Sequence, residues 1–243
     1  MVEESPSTNA SVAERARAGE PAGLVIVAEH QSAGRGRLGR SWVTPPRTAL
    51  TLSLLVAPDP VPVARWPWLP LLTGLAAVDA VRQSTDLAVT LKWPNDVLVG
   101  DRKLAGILTE RIERRGAAVG VVGVGLNVSS TPEDLPVATA TSLAIEGRPD
   151  VDRGDLLVSL LESFTRWYDG WTAAEGRGLR DSYVAACSTM GRAVRVDLPD
   201  GTSLTGIAEG VDEAGRLLVD DGRRVHFLGA GDVVHVRPAG SRS

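Results

Sequence analysis

Several residue types are scarce in this chain, and their scarcity limits the chemistry available to it. Cys187 is the one cysteine among 243 residues, so no disulfide can form within the chain. The histidines His30, His226 and His235 lie too far apart in sequence to complete a zinc site with that cysteine. We therefore predict no structural metal, and we expect Cys187 to be a small, buried side chain.

Long apolar runs and an excess of positive charge are also missing. No apolar stretch reaches the roughly 18 residues that a membrane span needs, and the acidic start Met1-Val2-Glu3-Glu4 is unlike a secretory signal. The formal net charge is -4 and the pI is near 5.5, which disfavours non-specific binding of nucleic acid. These features predict a cytoplasmic, soluble protein without a membrane or DNA partner.

The apolar pattern predicts alternating helices and strands, followed by short strands alone. Helical spacing predicts helices over 10–18, 69–81, 150–168 and 179–187, the first with Ser11 and Glu14 at the spacing of a capping box. Apolar runs bounded by turn residues predict strands over 24–29, 48–56, 90–93, 97–99, 104–113 and 119–126. From residue 193 onwards, short alternating runs are separated by glycine-containing turns.

Together these elements predict an α+β fold with two domains. In the first, residues 1–189, a mixed β-sheet is backed by helices. In the second, residues 190–237, four or five short strands form a small β-barrel, and residues 238–243 form a tail.

A loop rich in glycine and arginine is the first candidate functional segment. Its sequence is Gly34-Arg35-Gly36-Arg37-Leu38-Gly39-Arg40-Ser41-Trp42. The glycine spacing matches the dinucleotide-binding fingerprint, but the residues up to Pro45 and Pro46 cannot begin the helix that this fingerprint requires. The composition suits an anion clamp, because glycine lets backbone N–H groups approach a ligand and arginine supplies forked donors. A solvated basic loop is the alternative.

Three further segments place polar groups or glycines in or beside strands. Lys92-Trp93-Pro94-Asn95-Asp96 carries two side chains suited to a metal or a hydrogen bond, although a capped turn would use the same residues. Lys103 opens the next strand and is a candidate ligand of phosphate or carboxylate. Gly123-Val124-Gly125-Leu126-Asn127 is thinned by glycine, which makes room either for a flat ligand or for tight sheet packing.

In this order and spacing, five segments resemble the biotin protein ligase family over nearly the whole chain. They are Ser7-Thr8-Asn9, 29–37, 92–96, 103–108 and 123–127. The resemblance implies an enzyme that uses ATP and Mg²⁺ to activate biotin as biotinyl-5'-AMP, releases pyrophosphate, and transfers biotin to a lysine of a biotin carboxyl carrier domain. It also implies a catalytic domain like that of class II aminoacyl-tRNA synthetases and an SH3-like C-terminal barrel.

The resemblance further implies roles for individual residues. Biotin would be bound by Ser7, Thr8, Asn9, Gln31, Gly34, Arg35, Gly36 and Lys103. ATP and the adenylate would be bound by Arg35, Arg37, Arg40, Trp42, Asn95 and Asn127. The catalytic charges would be Lys103, Arg37 and Arg40, and Asp96 is the candidate base or metal ligand.

Two departures from the family pattern concern the start of the chain. DNA-regulating members carry an N-terminal helix-turn-helix domain, whereas the first motif here begins at Ser7. We therefore expect the class without repressor function, acting as a monomer or homodimer. The lead-in before Ser7 is short even for that class, which points to a missing upstream strand or a misassigned start.

Two other functions share parts of this pattern. A lipoate or octanoate transferase has a related fold, but its octanoyl branch needs a cysteine nucleophile, and Cys187 lies far in sequence from every glycine-rich segment. A non-catalytic biotin sensor that binds DNA would need a basic recognition helix.

Forming an adenylate joins two anions, so clustered cations suit it, and neither step of a biotin ligase needs a covalent enzyme intermediate.

Overall fold

The computed structural model describes residues 1–114, 116–173 and 178–236. Its larger sheet is built from β1 (Val2–Ser5), β2 (Val25–Gln31), β3 (Ala49–Val56), β4 (Val89–Lys92), β5 (Asp96–Val99), β6 (Arg102–Glu113) and β7 (Ala118–Asn127). The strands lie in the order β1-β2-β3-β7-β6-β5-β4. β1 and β2 run parallel and the other neighbours antiparallel, which confirms the predicted mixed sheet.

In the described part of the chain, four α-helices accompany this sheet: α1 (Thr8–Arg17), α2 (Trp68–Ser84), α3 (Arg153–Thr172) and α4 (Leu179–Ala186). α2 is buried along most of its length, because one side packs on the sheet and another on α3 and α4. α1 covers part of the opposite face, where Val12, Ala13 and Ala16 form a small separate core with β3, β6 and β7. Each predicted helix of this part is confirmed in position.

Two details at the N-terminus differ from the sequence predictions. The short lead-in itself forms strand β1, whose Glu4 pairs with His30 of β2. The cap of α1 is Ser7, and not Ser11: Ser7 has extended backbone angles and its hydroxyl accepts a hydrogen bond from the Ala10 N–H at 3.4 Å. The helix therefore begins within the Ser7-Thr8-Asn9 segment, which places these polar residues at its first turn.

The second sheet contains five antiparallel strands: β8 (Ala193–Asp197), β9 (Ser203–Val211), β10 (Leu217–Asp220), β11 (Val225–Leu228) and β12 (Asp232–His235). Their order is β11-β10-β9-β8-β12. Within the described residues β11 and β12 are the two edges and do not pair with each other, so the expected barrel is observed as an open sheet. The predicted tail, 238–243, lies outside the described residues.

The first sheet, helices α2, α3 and α4 and the second sheet share one large apolar core. Cys187 lies in that core, as predicted, and burial raises the pKa of its thiol. Among the helices that the structure describes, none combines the length and apolar character that crossing a bilayer requires.

Candidate active site

The candidate active site lies on the sheet face that α1 covers only in part. Side chains alternate along a strand, so Ser53 of β3, Gly123 and Gly125 of β7 and Gly106 of β6 all belong to this face. Beyond α1 the face borders a half-open cleft with about 740 Å³ of free space, part of it open to solvent. The absence of side chains at the three glycines leaves room for Asn9, Trp42 and Lys103, which line the cleft.

Most of the residues predicted for the site line this one cleft, although they come from distant segments of the chain. They are Ser7, Thr8, Asn9, Gln31, Arg35, Gly36, Arg37, Arg40, Trp42, Asn95, Asp96 and Lys103. The fold therefore brings the first turn of α1, the arginine loop, the Asn95-Asp96 turn and the start of β6 to a common surface.

Neutral polar groups form one end of the cleft, at the first turn of α1. The Thr8 N–H donates to Gln31 Oε1 at 2.7 Å, and the Thr8 hydroxyl lies 3.1 Å from the same oxygen. Ser53 Oγ lies 2.7 Å from Thr8 Oγ1 and 2.6 Å from Asn9 Oδ1. This network fixes the orientation of the Asn9 and Gln31 amides, which is what specific recognition of a small polar ring requires.

Glu110 of β6 connects this polar group to the arginine loop. Asn9 Nδ2 donates to Glu110 Oε2 at 2.8 Å, and Arg35 Nη2 donates to the same oxygen at 3.0 Å. Since one carboxylate oxygen accepts both bonds, the position of Arg35 is tied to that of α1.

The glycines of β7 make room for side chains of the protein itself. A Cβ on Gly123 would lie 2.0 Å from Asn9 Oδ1, and a Cβ on Gly125 would lie 2.4 Å from Cε2 of Trp42. Any larger residue at either position would displace Asn9 or Trp42. The sequence left two explanations open for these glycines, room for a flat ligand or tight packing. The structure shows tight packing, and the packed side chains, Asn9 and Trp42, are themselves predicted to bind the ligand.

Arginine residues form the opposite end of the cleft, and they are held by the second sheet. Arg37 Nη1 donates to Asn95 Oδ1 at 2.9 Å and lies 3.6 Å from Asp232 Oδ1, while Arg40 pairs with the other oxygen of Asp232. Burial lowers the pKa of Arg37, and the carboxylates of Asp232 and Asp96 act in the opposite direction. A guanidinium stays charged under such conditions, so the cluster remains cationic.

Lys103 lies between these two ends. Its Nζ is 2.6 Å from Asp96 Oδ1, a contact with the geometry of an ion pair and not of an aligned hydrogen bond. The same Nζ lies 5.9 Å from the centroid of the Trp42 ring, within the range of a cation–π interaction. Lys103 is thus held at the middle of the cleft by a charge on one side and a ring on the other.

Two predicted residues do not line the cleft. Gly34 lies behind it, where its carbonyl accepts from the Trp42 N–H at 2.9 Å and a Cβ would approach the Trp42 carbonyl oxygen at 2.3 Å. Asn127 is buried and donates to the Thr141 carbonyl at 2.8 Å, with its own Oδ1 lacking a partner among the described residues. Their assignments as direct ligand contacts remain predictions.

Sequence reasoning missed three residues that organise the site: Ser53, Glu110 and Asp232. Ser53 interrupts an apolar strand, and Glu110 falls at alternate spacing from Gly106 on the same face, so both left a signal that could have been used. Asp232 left none, because it lies 192 residues from the arginine that it contacts.

Metal ligands are few in the part of the chain that the structure describes. It contains no group of three or more His, Cys, Asp and Glu side chains arranged to hold a metal ion. Asp96 offers carboxylate oxygens in the cleft, whereas the amide oxygen of Asn95 accepts from Arg37. One such carboxylate is typical of Mg²⁺ that arrives with substrate phosphates, because Mg²⁺ keeps several waters and needs one or two carboxylates from the protein.

The similarities to known proteins extend over nearly the whole chain. The Biotin/lipoate A/B protein ligase family matches residues 2–127, and the Biotin protein ligase C terminal domain matches residues 189–236. The biotin–[acetyl-CoA-carboxylase] ligase of Mycobacterium tuberculosis is 43% identical over 241 residues, covering 98% of this chain and 88% of that protein. The bifunctional ligase/repressor BirA of Bacillus subtilis is 29% identical, covering 93% of this chain and 70% of that protein.

Solved structures show the same fold. The biotin protein ligase from Aquifex aeolicus in complex with biotin and ATP has a TM-score of 0.82 and 26% identity, covering 98% of this chain and 97% of that one. With the geometry of the cleft, these matches lead to one identification: the chain belongs to the biotin/lipoate A/B protein ligase family and carries the biotin protein ligase C-terminal domain.

Proposed function

We propose that this chain is a biotin protein ligase. It activates biotin with ATP as biotinyl-5'-AMP, releasing pyrophosphate, and transfers the biotinyl group to a lysine of a biotin carboxyl carrier domain. The observation that carries this proposal is the division of one cleft into a neutral polar end at Thr8, Asn9 and Gln31 and a cationic end at Arg37 and Arg40. The proteins named above, which are ligases of this activity, support it.

The neutral end suits the ureido ring of biotin, which has both N–H donors and a carbonyl acceptor. The amides of Asn9 and Gln31 and the hydroxyls of Ser7 and Thr8 supply the complementary groups. If the ureido ring binds there, the acyl chain of biotin would direct its carboxylate towards Lys103, which lies at the middle of the cleft.

The cationic end suits the activation step. The biotin carboxylate attacks the α-phosphorus of ATP, a new C–O–P anhydride bond forms, and pyrophosphate leaves. Because both reactants are anions, the protein contributes mainly by neutralising charge and aligning the two groups. In this proposal Lys103 and Arg37 act at the carboxylate and phosphate oxygens, and Arg40, whose side chain is 67% exposed, adds charge from the solvent side.

Mg²⁺ fits the donors in the cleft. The Asp96 carboxylate would hold it together with phosphate oxygens, where it would supply further positive charge for the departing pyrophosphate. In the transfer step, after pyrophosphate has left with its metal, the Asp96 carboxylate beside Lys103 would be free to accept a proton from the acceptor lysine. The free amine then attacks the carbonyl carbon of the adenylate, the amide bond forms, and AMP leaves.

Lipoate or octanoate transfer is the alternative function within this family. Its octanoyl branch would place a cysteine at the reacting carbonyl, whereas Cys187 is buried in the core and is absent from the lining of the cleft. The raised pKa of that thiol further disfavours a thiolate nucleophile. Activation of lipoate with ATP would need no cysteine, so the experiment distinguishes it from activation of biotin.

The experiment is incubation with ATP, Mg²⁺ and one of three acids, with pyrophosphate release as the measurement. We expect release with biotin and not with lipoate or octanoate, and biotinylation of an added biotin carboxyl carrier domain. Release with lipoate alone would overturn the assignment of biotin. The absence of DNA binding, the monomeric or homodimeric state and the cytoplasmic location stay predictions.

A further inference from the structure

A groove between the two sheets opens onto the cleft. Lys92 lies on its first-sheet side, and Arg192 and Val234 lie on its second-sheet side. Asp96 and Lys103 line both the groove and the cleft. The groove has about 1520 Å³ of free space, including open solvent, against about 740 Å³ for the cleft. Because it shares Asp96 and Lys103 with the cleft, the groove is a second approach to the reacting groups.

The lining of the groove is net positive, with Lys92, Lys103 and Arg192 against the carboxylates of Asp96 and Asp101, although the chain as a whole carries a formal charge of -4. The chain has two lysines, Lys92 and Lys103, and both line this groove. Arg192 lies 3.8 Å from Asp101, and because both side chains are exposed this ion pair is weak. A carboxylate of a bound partner can therefore replace Asp101 beside Arg192. Burial lowers the pKa of His235, Lys92 and Arg192 lower it further, and Asp101 acts in the opposite direction.

Apolar surface is exposed beside these charges. Val234 and Val236 are 42% and 43% exposed, and Val234 belongs to β12, which is an edge strand of its sheet. A nucleotide gains little from exposed valines, and the arginine loop at the other end of the cleft already offers cations to phosphate. Side chains of a protein partner would cover the valines and pair with the cations.

We infer that this groove binds the carrier protein around its acceptor lysine, through acidic and apolar side chains that flank this lysine. The inference rests on the proposed function. The acceptor ammonium alone would be repelled by Lys92 and Arg192, so carboxylates next to it in the carrier sequence are needed to dock it. At the inner end of the groove Asp96 attracts the ammonium and lies at the cleft where the adenylate forms.

The test separates carrier docking from activation. Arg192→Glu and Val234→Asp place negative charge in the groove, whereas Arg223→Glu makes the same charge change in the turn between β10 and β11, at the opposite edge of the sheet. We expect the two groove variants to raise the KM for a biotin carboxyl carrier domain about tenfold, in a salt-dependent way. Pyrophosphate release without carrier should stay within about twofold of wild type, since rim charges act mainly on encounter.

Arg192→Lys should retain most of the affinity for the carrier, and Arg223→Glu should behave as wild type. An unchanged KM for the carrier in both groove variants would overturn the inference while leaving the ligase function intact. Wild-type protein that releases no pyrophosphate with biotin would instead overturn the proposed function. A concentration-dependent dimer that Arg192→Glu dissociates, without effect on transfer, would assign the groove to a second copy of the chain and also overturn the inference.

Discussion

Lys103 lies where the polar and cationic ends of the cleft meet, and its ammonium is held by Asp96 and Trp42. Replacing it by alanine removes one preorganised charge and leaves the core untouched. We predict that Lys103→Ala lowers the rate of biotinyl-AMP formation by roughly 10²- to 10³-fold, as for the loss of one charge-stabilising donor. Pyrophosphate release at saturating biotin and ATP is the measurement.

The control is Lys92→Ala, which removes the other lysine of the groove and should leave the activation step nearly unchanged. Both variants should unfold at temperatures close to that of wild type, because neither side chain belongs to the apolar core. Near-normal turnover of Lys103→Ala would contradict the role of Lys103 in biotinyl-AMP formation.

Gly123 shows how a single missing side chain shapes the neutral end of the cleft. A Cβ at this position would lie 2.0 Å from Asn9 Oδ1, so Asn9 would have to leave its hydrogen bonds with Ser53 and Glu110. We predict that Gly123→Ala raises the KM for biotin by about tenfold, the cost of about one lost hydrogen bond to a buried group. Overpacking should also lower the free energy of unfolding by about 1–3 kcal/mol.

A matched control is Gly210→Ala, in strand β9, where the nearest side-chain atom to a new Cβ is 4.0 Å away. Urea unfolding and the KM for biotin should both stay at wild-type values in this variant. If Gly123→Ala bound biotin normally, then Asn9 would have no part in recognising it.

At the scale of elements, the segment from Gly34 to Arg40 is a small loop closed on itself. The Gly36 N–H donates to the Arg40 carbonyl at 2.6 Å, and Arg35 and Ser41 form an isolated bridge. Leu38 has a left-handed φ of 54°, which is unfavourable for this residue type. Glu110 and Asp232 provide the negative charges that the clustered arginines need.

We predict that this loop opens in the free enzyme and closes over biotinyl-AMP. The side chains of Arg35 and Arg40 are 46% and 67% exposed, and ion pairs this exposed contribute little, so the internal carboxylates hold these two arginines only weakly. A bound adenylate adds its own charge and excludes water. Limited digestion with trypsin measures this directly, because the loop arginines are its cleavage sites. The free enzyme should be cut in the loop, and a saturating non-hydrolysable analogue of biotinyl-AMP should protect it.

Equal cleavage with and without the analogue would contradict loop closure. Cleavage after exposed arginines outside the cleft, such as Arg223 and Arg224, serves as the internal control, since the analogue should leave their rates unchanged.

At the scale of the whole molecule, Asp232 joins the second sheet to the arginine loop of the first. Its two oxygens contact Arg37 and Arg40, in the cleft where phosphate is expected to bind. A nucleotide must compete with this carboxylate for the arginines. We predict that Asp232→Asn lowers the KM for ATP by roughly two- to fivefold, the value of one or two partly exposed ion pairs.

The loop of Asp232→Asn should also be cut faster by trypsin when no ligand is present. Asp197→Asn, on neighbouring strand β8, is the matched control, because Asp197 pairs with Arg195 and does not line the cleft. A raised KM for ATP in Asp232→Asn would mean that the carboxylate positions the arginines for the nucleotide and does not compete with it.

The sequence alone was sufficient for the predicted helices and strands of the first sheet and for most residues of the cleft. Apolar periodicity is a local property, so α2 and β3 could be located without knowledge of their partners. Lys103, Arg37 and Gln31 lie in motifs whose order along the chain indicated the family, and the family match confirms that recognition. The lead-in strand β1 was missed because four residues give too little pattern.

Tertiary structure alone decided how the motifs work together. Which side chains fill the space above Gly123 and Gly125 depends on the placement of α1 and the arginine loop over β7, which no local pattern encodes. Asp232 lies in another domain, 192 residues from Arg40. The short apolar pattern of β12 does not indicate which cation the carboxylate of Asp232 will contact. Motif chemistry follows from residue types close in sequence, whereas charge pairing and close packing follow from distances that only the folded chain sets.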